Sequence, residues 1–355
     1  MGAVLLLMST GLISLFSLSS VSSVPFFYRQ LVWMSLGLVL MVGMSFVDFR
    51  LFRTQSWAVF IFYAITVFLL IMLFVFGLRI RGHEAWFKFQ SLSFQPVEAA
   101  KLALIILLAK FFSRRHIEIY RVRHLLVSGA YLAVPALLVL LQPDLGSAVI
   151  LISIWIAMVI FSGIKLRHFF FLVLLFAVSA ALAWGFVLKP YQKDRITAFI
   201  NPYEDPRGTG YQMIQSMIAV GSGKVWGKGL GYGSQSHLNF LPEAETDFIF
   251  AAFAEEWGLV GVLIMLSLIF ITVWRIINTG MKAGDNFSRL YTLGFAAFIF
   301  TQSFIHVGMN MGSLPITGIT LPFVSYGGSS LIILLIGIGI IQNIKINSRP
   351  ETDKF

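Results

Sequence analysis

Stretches of about 20 apolar residues recur along the chain, and each is long enough to cross roughly 30 Å of hydrocarbon as a helix. Hydrophobic residues make up 58% of the 355 residues and charged residues 12%, whereas soluble domains carry roughly 25% charge. The pattern predicts an all-α polytopic membrane protein with about ten transmembrane helices. The predicted spans are residues 1–20, 30–47, 57–78, 97–113, 124–141, 145–163, 168–188, 246–273, 290–310 and 328–344.

Lys and Arg are distributed unevenly between the loops that join these spans. With a cytoplasmic N-terminus, 15 of the 26 basic residues fall in inner loops and the C-terminal tail, four in short outer loops and six in the long segment 189–245. An excess of Lys and Arg in short loops marks the cytoplasmic side. We therefore expect residues 1–355 to form a single transmembrane domain with both termini in the cytoplasm and 189–245 as one large extracytoplasmic loop.

The net charge of +10 comes from basic residues that flank the spans and do not cluster on one polar face. Such a distribution indicates attraction to anionic lipid headgroups and gives no sign of a nucleic-acid site. The chain contains no cysteine. Disulfides, thiol nucleophiles and thiolate metal sites are therefore excluded.

The segment 189–245 mixes Pro and Gly turns with many aromatic residues, and we expect it to fold against the membrane face with a short helix near Tyr211–Val220. Its glycines between 221 and 233 fit neither the Walker pattern nor the dinucleotide fingerprint. Two alternatives stay open. Backbone N–H groups with Lys224 and Lys228 could bind an anion such as a pyrophosphate, or the glycines could be plain turns.

Acidic residues concentrate after this segment. Five of the 16 acidic residues lie within Leu241–Gly258, and one of them, Asp247, directly precedes an apolar run. This places a carboxylate at the mouth of a predicted membrane span.

Charged residues also occur within the predicted spans, where a charge is costly and tends to be paired or functional. Pro96 suits the first turn of a helix, Glu98 lies where a helix N-terminus favours an acid, and Lys101 is three residues further along the same face. Asp144 lies at the start of the sixth span. A functional cavity and a purely structural ion pair are both consistent with this pattern.

Three long motifs carry a family resemblance. They are "QPDLGSA" at 142–148, "LPEAETDFIFAAFAEEWG" at 241–258 and "LPITGITLPFVSYGGSSL" at 314–331. Together with the glycine-rich segment between the first two, they resemble the SEDS family (shape, elongation, division and sporulation proteins), the group of RodA and FtsW. The likeness extends over almost the whole chain.

The resemblance implies a ten-helix peptidoglycan glycosyltransferase in the bacterial cytoplasmic membrane. Such enzymes polymerise lipid II into glycan strands on the outer face of the membrane, and they work with a class B penicillin-binding protein that cross-links the product. Residue by residue, the resemblance implies that Asp247 is the catalytic carboxylate. It also carries over Glu98, Lys101 and Asp144, as an ion pair or part of a substrate cavity.

Three positions depart from the pattern of the family. Val97 stands where the family usually has Ser, Glu245 where it has His, and His306 where it has Asn. The carboxylates and the lysine named above are retained.

Glycosyl transfer from a lipid diphosphate requires a base for the proton of the acceptor hydroxyl and stabilisation of the departing diphosphate. Asp247 is predicted to be this base. The predicted contacts of the diphosphate are Arg207, Lys224 and Lys228, with Lys101 or a divalent cation such as Mg²⁺ or Mn²⁺ as further alternatives.

Two alternative functions remain at this point. A lipid II flippase would need the same lipid groove, although transporters favour a site near the midplane built from repeated or broken helices, and no internal repeat is found. An FtsW-like division role is the other alternative to RodA-like elongation, which the short predicted tails favour. Segment 168–188 is uncharged after His168, so we expect it to face lipid and move to admit substrate.

Overall fold

Helices form most of the structure, a computed structural model that describes residues 1–19, 24–47, 50–80, 83–89, 92–114, 122–163, 170, 174, 185 and 190–347. The helices are α1 (Gly2–Ser19), α2 (Phe26–Phe46), α3 (Arg50–Thr54), α4 (Ser56–Phe76), α5 (Pro96–Ser113), α6 (Val122–Leu141), α7 (Leu145–Phe161), α8 (Pro190–Ile200), α9 (Tyr211–Ser222), α10 (Ser234–His237), α11 (Ile249–Met281), α12 (Asn286–Asn310) and α13 (Gly328–Asn347).

Seven of these helices, α1, α2, α4, α6, α11, α12 and α13, are long and apolar enough to cross a membrane. Helix α7 is apolar but shorter, and α5 has 18 residues with three charged side chains. These nine helices fall on nine of the predicted spans, which confirms an all-α polytopic membrane fold. The tenth predicted span, 168–188, lies outside the described residues apart from three single positions.

The chain divides into two compact units, each assembled from separate segments. The first unit comprises Met1–Arg29, Lys165–Phe270 and Gln302–Tyr326. The second unit comprises Gln30–Ile164, Ile271–Thr301 and Gly327–Phe355. That residues 1–355 form one domain stays a prediction.

Helix α5 is central to the second unit. It packs along α4 and also contacts α6, α7 and α13, and nearly all of its residues are buried. Most side chains of a helix surrounded by other helices are expected to be apolar on every face, and the charged residues of α5 are exceptions. Its charged residues Glu98 and Lys101 are therefore held inside protein.

Three short strands precede α5 where the sequence predicts only a short loop. They are β1 (Leu78–Ile80), β2 (His83–Phe89) and β3 (Leu92–Phe94), which pair in the order β1-β2-β3, all antiparallel. The Ser329 hydroxyl donates to the carbonyl of Ser93 at 3.1 Å and accepts from the N–H of Gln95 at 3.1 Å. The start of α13 thus fixes the position from which α5 begins.

Helix α11 is interrupted at Gly258, whose φ of +64° and ψ of −166° are not helical. This region of φ is open to glycine and costly for other residues. From Leu259 to Met281 the helix is roughly 35 Å long at about 1.5 Å per residue, so the part after the break suffices to span a bilayer. The predicted span 246–273 did not anticipate this interruption.

The break in α11 leaves backbone N–H and carbonyl groups without partners in the helix, and segment 224–229 of the first unit forms hydrogen bonds with them. The N–H groups of Leu259 and Val260 donate to the carbonyls of Lys224 and Val225 at 2.9 and 3.2 Å. In return, the carbonyls of Glu255 and Glu256 accept from the N–H groups of residues 228 and 229, both at 3.0 Å. Unpaired backbone groups in an apolar setting cost several kcal/mol, so this exchange stabilises both the broken helix and the segment.

Candidate active site

Asp247 lies in a tight turn directly before α11. The backbone N–H groups of Thr246, Asp247 and Phe248 all point at the carbonyl of Glu243, at 3.1 to 3.2 Å. Phe248 and the residues that follow it are buried, whereas Asp247 is partly exposed. A carboxylate next to a helix N-terminus is favoured by the partial positive charge of the free N–H groups there.

The segment 318–326 packs against this turn. The Ser325 hydroxyl donates to the carbonyl of Thr246 at 2.8 Å and accepts from the N–H of Leu321 at 2.7 Å. The N–H of Tyr326 donates to the carbonyl of Glu245 at 2.9 Å. Two of the motifs that carry the family resemblance, "TDFIF" and "SYGG", are therefore brought together by direct hydrogen bonds.

Gly318 lies beside the carboxylate itself. It adopts a φ of +72°, and a Cβ atom added there would lie 3.5 Å from Oδ2 of Asp247. The absence of a side chain at this position keeps space open on one side of the carboxylate.

Glu255 is fully buried and serves as an anchor for the glycine-rich segment. Its Oε1 accepts from Nζ of Lys228 at 2.6 Å and from the N–H of Gln235 at 3.0 Å. Its Oε2 accepts from the N–H and the hydroxyl of Ser236, both at 3.3 Å. The carboxylate therefore holds the first turn of α10 and one lysine, and these hydrogen bonds fix its position.

Glu256 performs a similar structural task. Its Oε1 accepts from the hydroxyl of Ser17 in α1 and from the N–H of Gly231 at 3.1 Å, and it lies 3.1 Å from Nε2 of His237. Two of the five clustered acids thus secure the loop. The sequence alone does not separate them from Asp247, because the groups that they bond lie 19 or more residues away along the chain.

The predicted diphosphate contacts differ in their surroundings. Lys228 is paired with Glu255 and also donates to the hydroxyl of Ser234 at 2.8 Å. Lys224, Lys228 and Arg207 are all exposed, so the three differ in their partners. Among the three predicted cations, Lys228 is the one whose charge is already matched by a buried carboxylate.

Glu98 and Lys101 form a buried ion pair in the second unit. Nζ of Lys101 lies 2.7 Å from Oε1 of Glu98, and the two side chains are 1% and 5% exposed, respectively. The ammonium also lies 5.5 Å from the centre of the Phe298 ring. Oε2 of Glu98 is buried, and no hydrogen-bond partner for it occurs among the described residues. The predicted contact on one face of α5 is confirmed.

Asp144 caps the N-terminus of α7. Its Oδ1 accepts from the N–H of Ser147 at 2.9 Å, which is the ordinary role of Asp at this position. Within the described part of the chain, no hydrogen bond or ion pair joins Asp144 to Glu98 or Lys101. Asp247 belongs to the first unit and these three residues belong to the second.

His306, which replaces the usual Asn of the family, is completely buried. Its Nδ1 lies 2.7 Å from the carbonyl of Ile319.

The described residues contain no group of three or more His, Asp or Glu side chains that could hold a metal ion.

Comparison with known proteins shows the family to which the chain belongs. The chain matches the FTSW_RODA_SPOVE family of cell cycle proteins over residues 1–350. Peptidoglycan glycosyltransferase MrdB of Escherichia coli strain K12 is 37% identical over 316 residues, which cover 89% of this chain and 84% of MrdB.

Two solved structures are also similar. One is from a study of a peptidoglycan synthase complex that coordinates polymerization and crosslinking, with a TM-score of 0.81 and 33% identity, covering 98% of this chain and 97% of that one. The other is the rod shape determining protein RodA of Thermus thermophilus, with a TM-score of 0.73 and 30% identity, covering 99% of this chain and 96% of RodA.

The chain therefore belongs to the FTSW_RODA_SPOVE family, the SEDS family that the motifs indicated. It is a multi-pass membrane protein and a peptidoglycan glycosyltransferase. The predicted class of enzyme is confirmed.

The Glu98–Lys101 pair yields a test of stability. Removing one partner leaves an uncompensated buried charge, which typically costs about 3–5 kcal/mol, so Glu98→Ala and Lys101→Ala should each lower the thermal unfolding midpoint. The double variant should recover much of that loss. If it recovers stability without glycan polymerisation, the pair is functional, whereas recovery of both identifies it as scaffolding.

The exposed pair Arg53–Asp285 provides the matched control. Its charged atoms are 3.6 Å apart and the side chains are 42% and 28% exposed. Exposed pairs contribute about 1 kcal/mol or less, so Arg53→Ala should shift the midpoint far less than Lys101→Ala. Equal shifts would contradict the assignment of the α5 pair as a buried charge pair.

Proposed function

We propose that this glycosyltransferase polymerises lipid II with Asp247 as the general base, on the outer face of the bacterial cytoplasmic membrane. The observation that carries the proposal is the position of Asp247. It is a partly exposed carboxylate at the N-terminus of α11, with its turn bonded to the segment 318–326. A base needs this combination of accessibility to substrate and a fixed direction.

The chemistry is a single displacement at the anomeric carbon of the donor sugar. The acceptor hydroxyl attacks that carbon while Asp247 takes the hydroxyl proton, and the bond to the diphosphate breaks with its electron pair leaving on the phosphate oxygen. Attack opposite to the leaving group inverts the configuration. The base must approach the acceptor oxygen to about 2.6–3.2 Å, and Gly318 leaves space beside Oδ2 for this approach.

The charge that develops on the diphosphate requires a cation. If Lys228 turned toward the substrate, the buried carboxylate of Glu255 would keep its hydrogen bonds to Gln235 and Ser236 but lose its cationic partner, which is strongly unfavourable. We therefore rank the exposed side chains of Lys224 and Arg207 above Lys228 as contacts in this loop. A divalent cation, Mg²⁺ or Mn²⁺, stays a prediction. Mg²⁺ is commonly held by one or two carboxylates together with substrate phosphates.

We further propose a role in cell elongation together with a class B penicillin-binding protein that docks on the extracytoplasmic loops. The likeness to RodA, named a rod shape determining protein, supports the role. The likeness to a synthase complex that combines polymerization and crosslinking supports the partner. Docking would reorder the segment 189–245 and so bring Asp247 and the cations of this loop together.

Asp247→Asn tests the base directly. The amide cannot accept the proton at neutral pH, so polymerisation of lipid II by purified protein should fall by about 10²-fold or more. Binding of lipid II and the thermal unfolding midpoint should stay close to those of the unmodified protein. A variant that polymerises at a near-normal rate would refute Asp247 as the base.

The two lysines of the loop are distinguished by a paired substitution. Lys224→Met should weaken polymerisation, since it removes an exposed cation, and should leave the unfolding midpoint unchanged. Lys228→Met should lower the midpoint because Glu255 loses its partner. Should Lys224→Met be fully active and Lys228→Met be inactive but stable, the ranking of the two contacts would be reversed.

Hydrogen exchange with purified partners tests the role and the docking site together. An elongation-specific class B penicillin-binding protein should change exchange in 189–245 and raise the rate of polymerisation, and a division-specific one should do neither. The reverse pattern would assign the chain to division. Unchanged exchange and rate with both partners would remove activation by docking while leaving Asp247 as the base.

A further inference from the structure

The side chain of Asn310, at the C-terminal end of α12, is completely buried and contacts the start of α11. Its Nδ2 donates to the carbonyl of Asp247 at 2.9 Å and to the carbonyl of His306 at 2.8 Å. Its Oδ1 accepts from the N–H of Ala251 at 3.1 Å. The amide orientation follows from these partners, because a flipped amide would set its NH₂ against an N–H group and its oxygen against two carbonyls.

These bonds hold the carbonyl of Asp247 and the N–H of Ala251, four residues further along the chain. Ala251 carries one of the first N–H groups of α11, which have no partner within the helix, and Asn310 supplies an acceptor from another helix. The same amide holds the carbonyl of Asp247 itself. Asn310 thereby sets where the helix begins and the direction in which the Asp247 side chain leaves the backbone.

The backbone of Asn310 is also secured. The hydroxyl of Ser216 in α9 donates to the carbonyl of Asn310 at 2.8 Å, and both residues are fully buried. The side chain of Asn310 therefore transmits a fixed position to the turn of Asp247. Hydrogen bonds in such a buried setting are costly to leave unmade.

We propose that Asn310 is a positioning residue for glycosyl transfer, acting through Asp247 without touching substrate. The proposal rests on the proposed function of Asp247 as the base. Proton transfer depends on close approach of base and hydroxyl, and a displacement of about 1 Å in a reacting group costs on the order of 10²-fold in rate. Loss of the Asn310 amide removes the bonds that prevent such a displacement.

The test is Asn310→Val, which keeps a side chain of similar size but cannot form any of the three bonds. We expect kcat for lipid II polymerisation to fall about 10- to 100-fold, with KM for lipid II changed by less than about threefold. A KM that rises while kcat is retained would overturn the proposal, since it would place Asn310 in substrate binding.

Asn343 in the second unit offers a matched control. It is also buried, and its Nδ2 donates to the carbonyls of Ser45 and Val47 at 2.7 and 2.9 Å. Asn343→Val therefore removes the same kind of bonds from a site in the other unit. It should destabilise the protein comparably while kcat stays near its normal value. Equal losses of kcat in the two variants would show that Asn310 is merely structural.

A double-variant cycle separates this proposal from the one it rests on. In an Asp247→Asn background, Asn310→Val should cause no further loss, because its effect passes through the base. The same factor of loss in both backgrounds would overturn positioning. Full activity of Asp247→Asn would instead refute the base, and full activity of Asn310→Val beside an inactive Asp247→Asn would refute only the positioning role.

If Asn310→Val does not fold, Asn310→Asp replaces it in every measurement. The carboxylate keeps an acceptor for the N–H of Ala251 and loses the donor to the carbonyl of Asp247. A drop in kcat is again expected, and normal kcat overturns the proposal.

Discussion

The exchange of backbone hydrogen bonds at the break in α11 is the interaction on which the first unit depends. Gly258 interrupts the helix, and the segment 224–229 enters the gap and bonds the released N–H and carbonyl groups on both sides. In lipid such groups have no water to bond, so a break is tolerated where protein satisfies it. The two glutamates directly before the break then anchor the rest of the segment.

This arrangement explains why acid is concentrated beside a membrane span. Asp247 lies on the exposed side of the helix start, whereas Glu255 and Glu256 are buried two turns further on and bind the glycine-rich segment. The cluster therefore combines a partly exposed carboxylate, the proposed base, at one end with two buried carboxylates that hold the loop at the other. The first half of α11 and the turn directly before it carry both.

Much of the fold was predictable because its signals are local. Hydropathy located nine spans, Pro96 located the start of α5, and the spacing of Glu98 and Lys101 located their contact, since each depends on neighbours within one helix. The short helix α9 was predicted as well. The strands β1 and β3 were missed because runs of three residues are too short to show a period of two. The seven residues of β2 were missed because three consecutive apolar residues, 85–87, interrupt its alternation.

The features of the site that were missed depend on residues distant in sequence. A glycine within an apolar run gives no sign that the helix breaks there, because the acceptors for its neighbours come from segment 224–229. Asn310 bonds to groups 59 and 63 residues away, and a lone amide at the end of a helix has no recognisable pattern. The roles of Asp247 and its predicted partners came from the family resemblance and await the experiments proposed for them.

The attachment of the glycine-rich segment to α11 also has a thermodynamic consequence. Glu255 and Glu256 bond that segment to the first half of α11, which begins just after Asp247. The folding of the loop and the folding of the helix start are therefore linked equilibria. Linkage is reciprocal. If a ligand of the loop raises the affinity of the helix start for a second ligand, the second ligand raises the affinity of the loop for the first by the same factor. A ligand that favours the ordered form of the helix start would therefore raise the affinity of the glycine-rich segment for a ligand of its own.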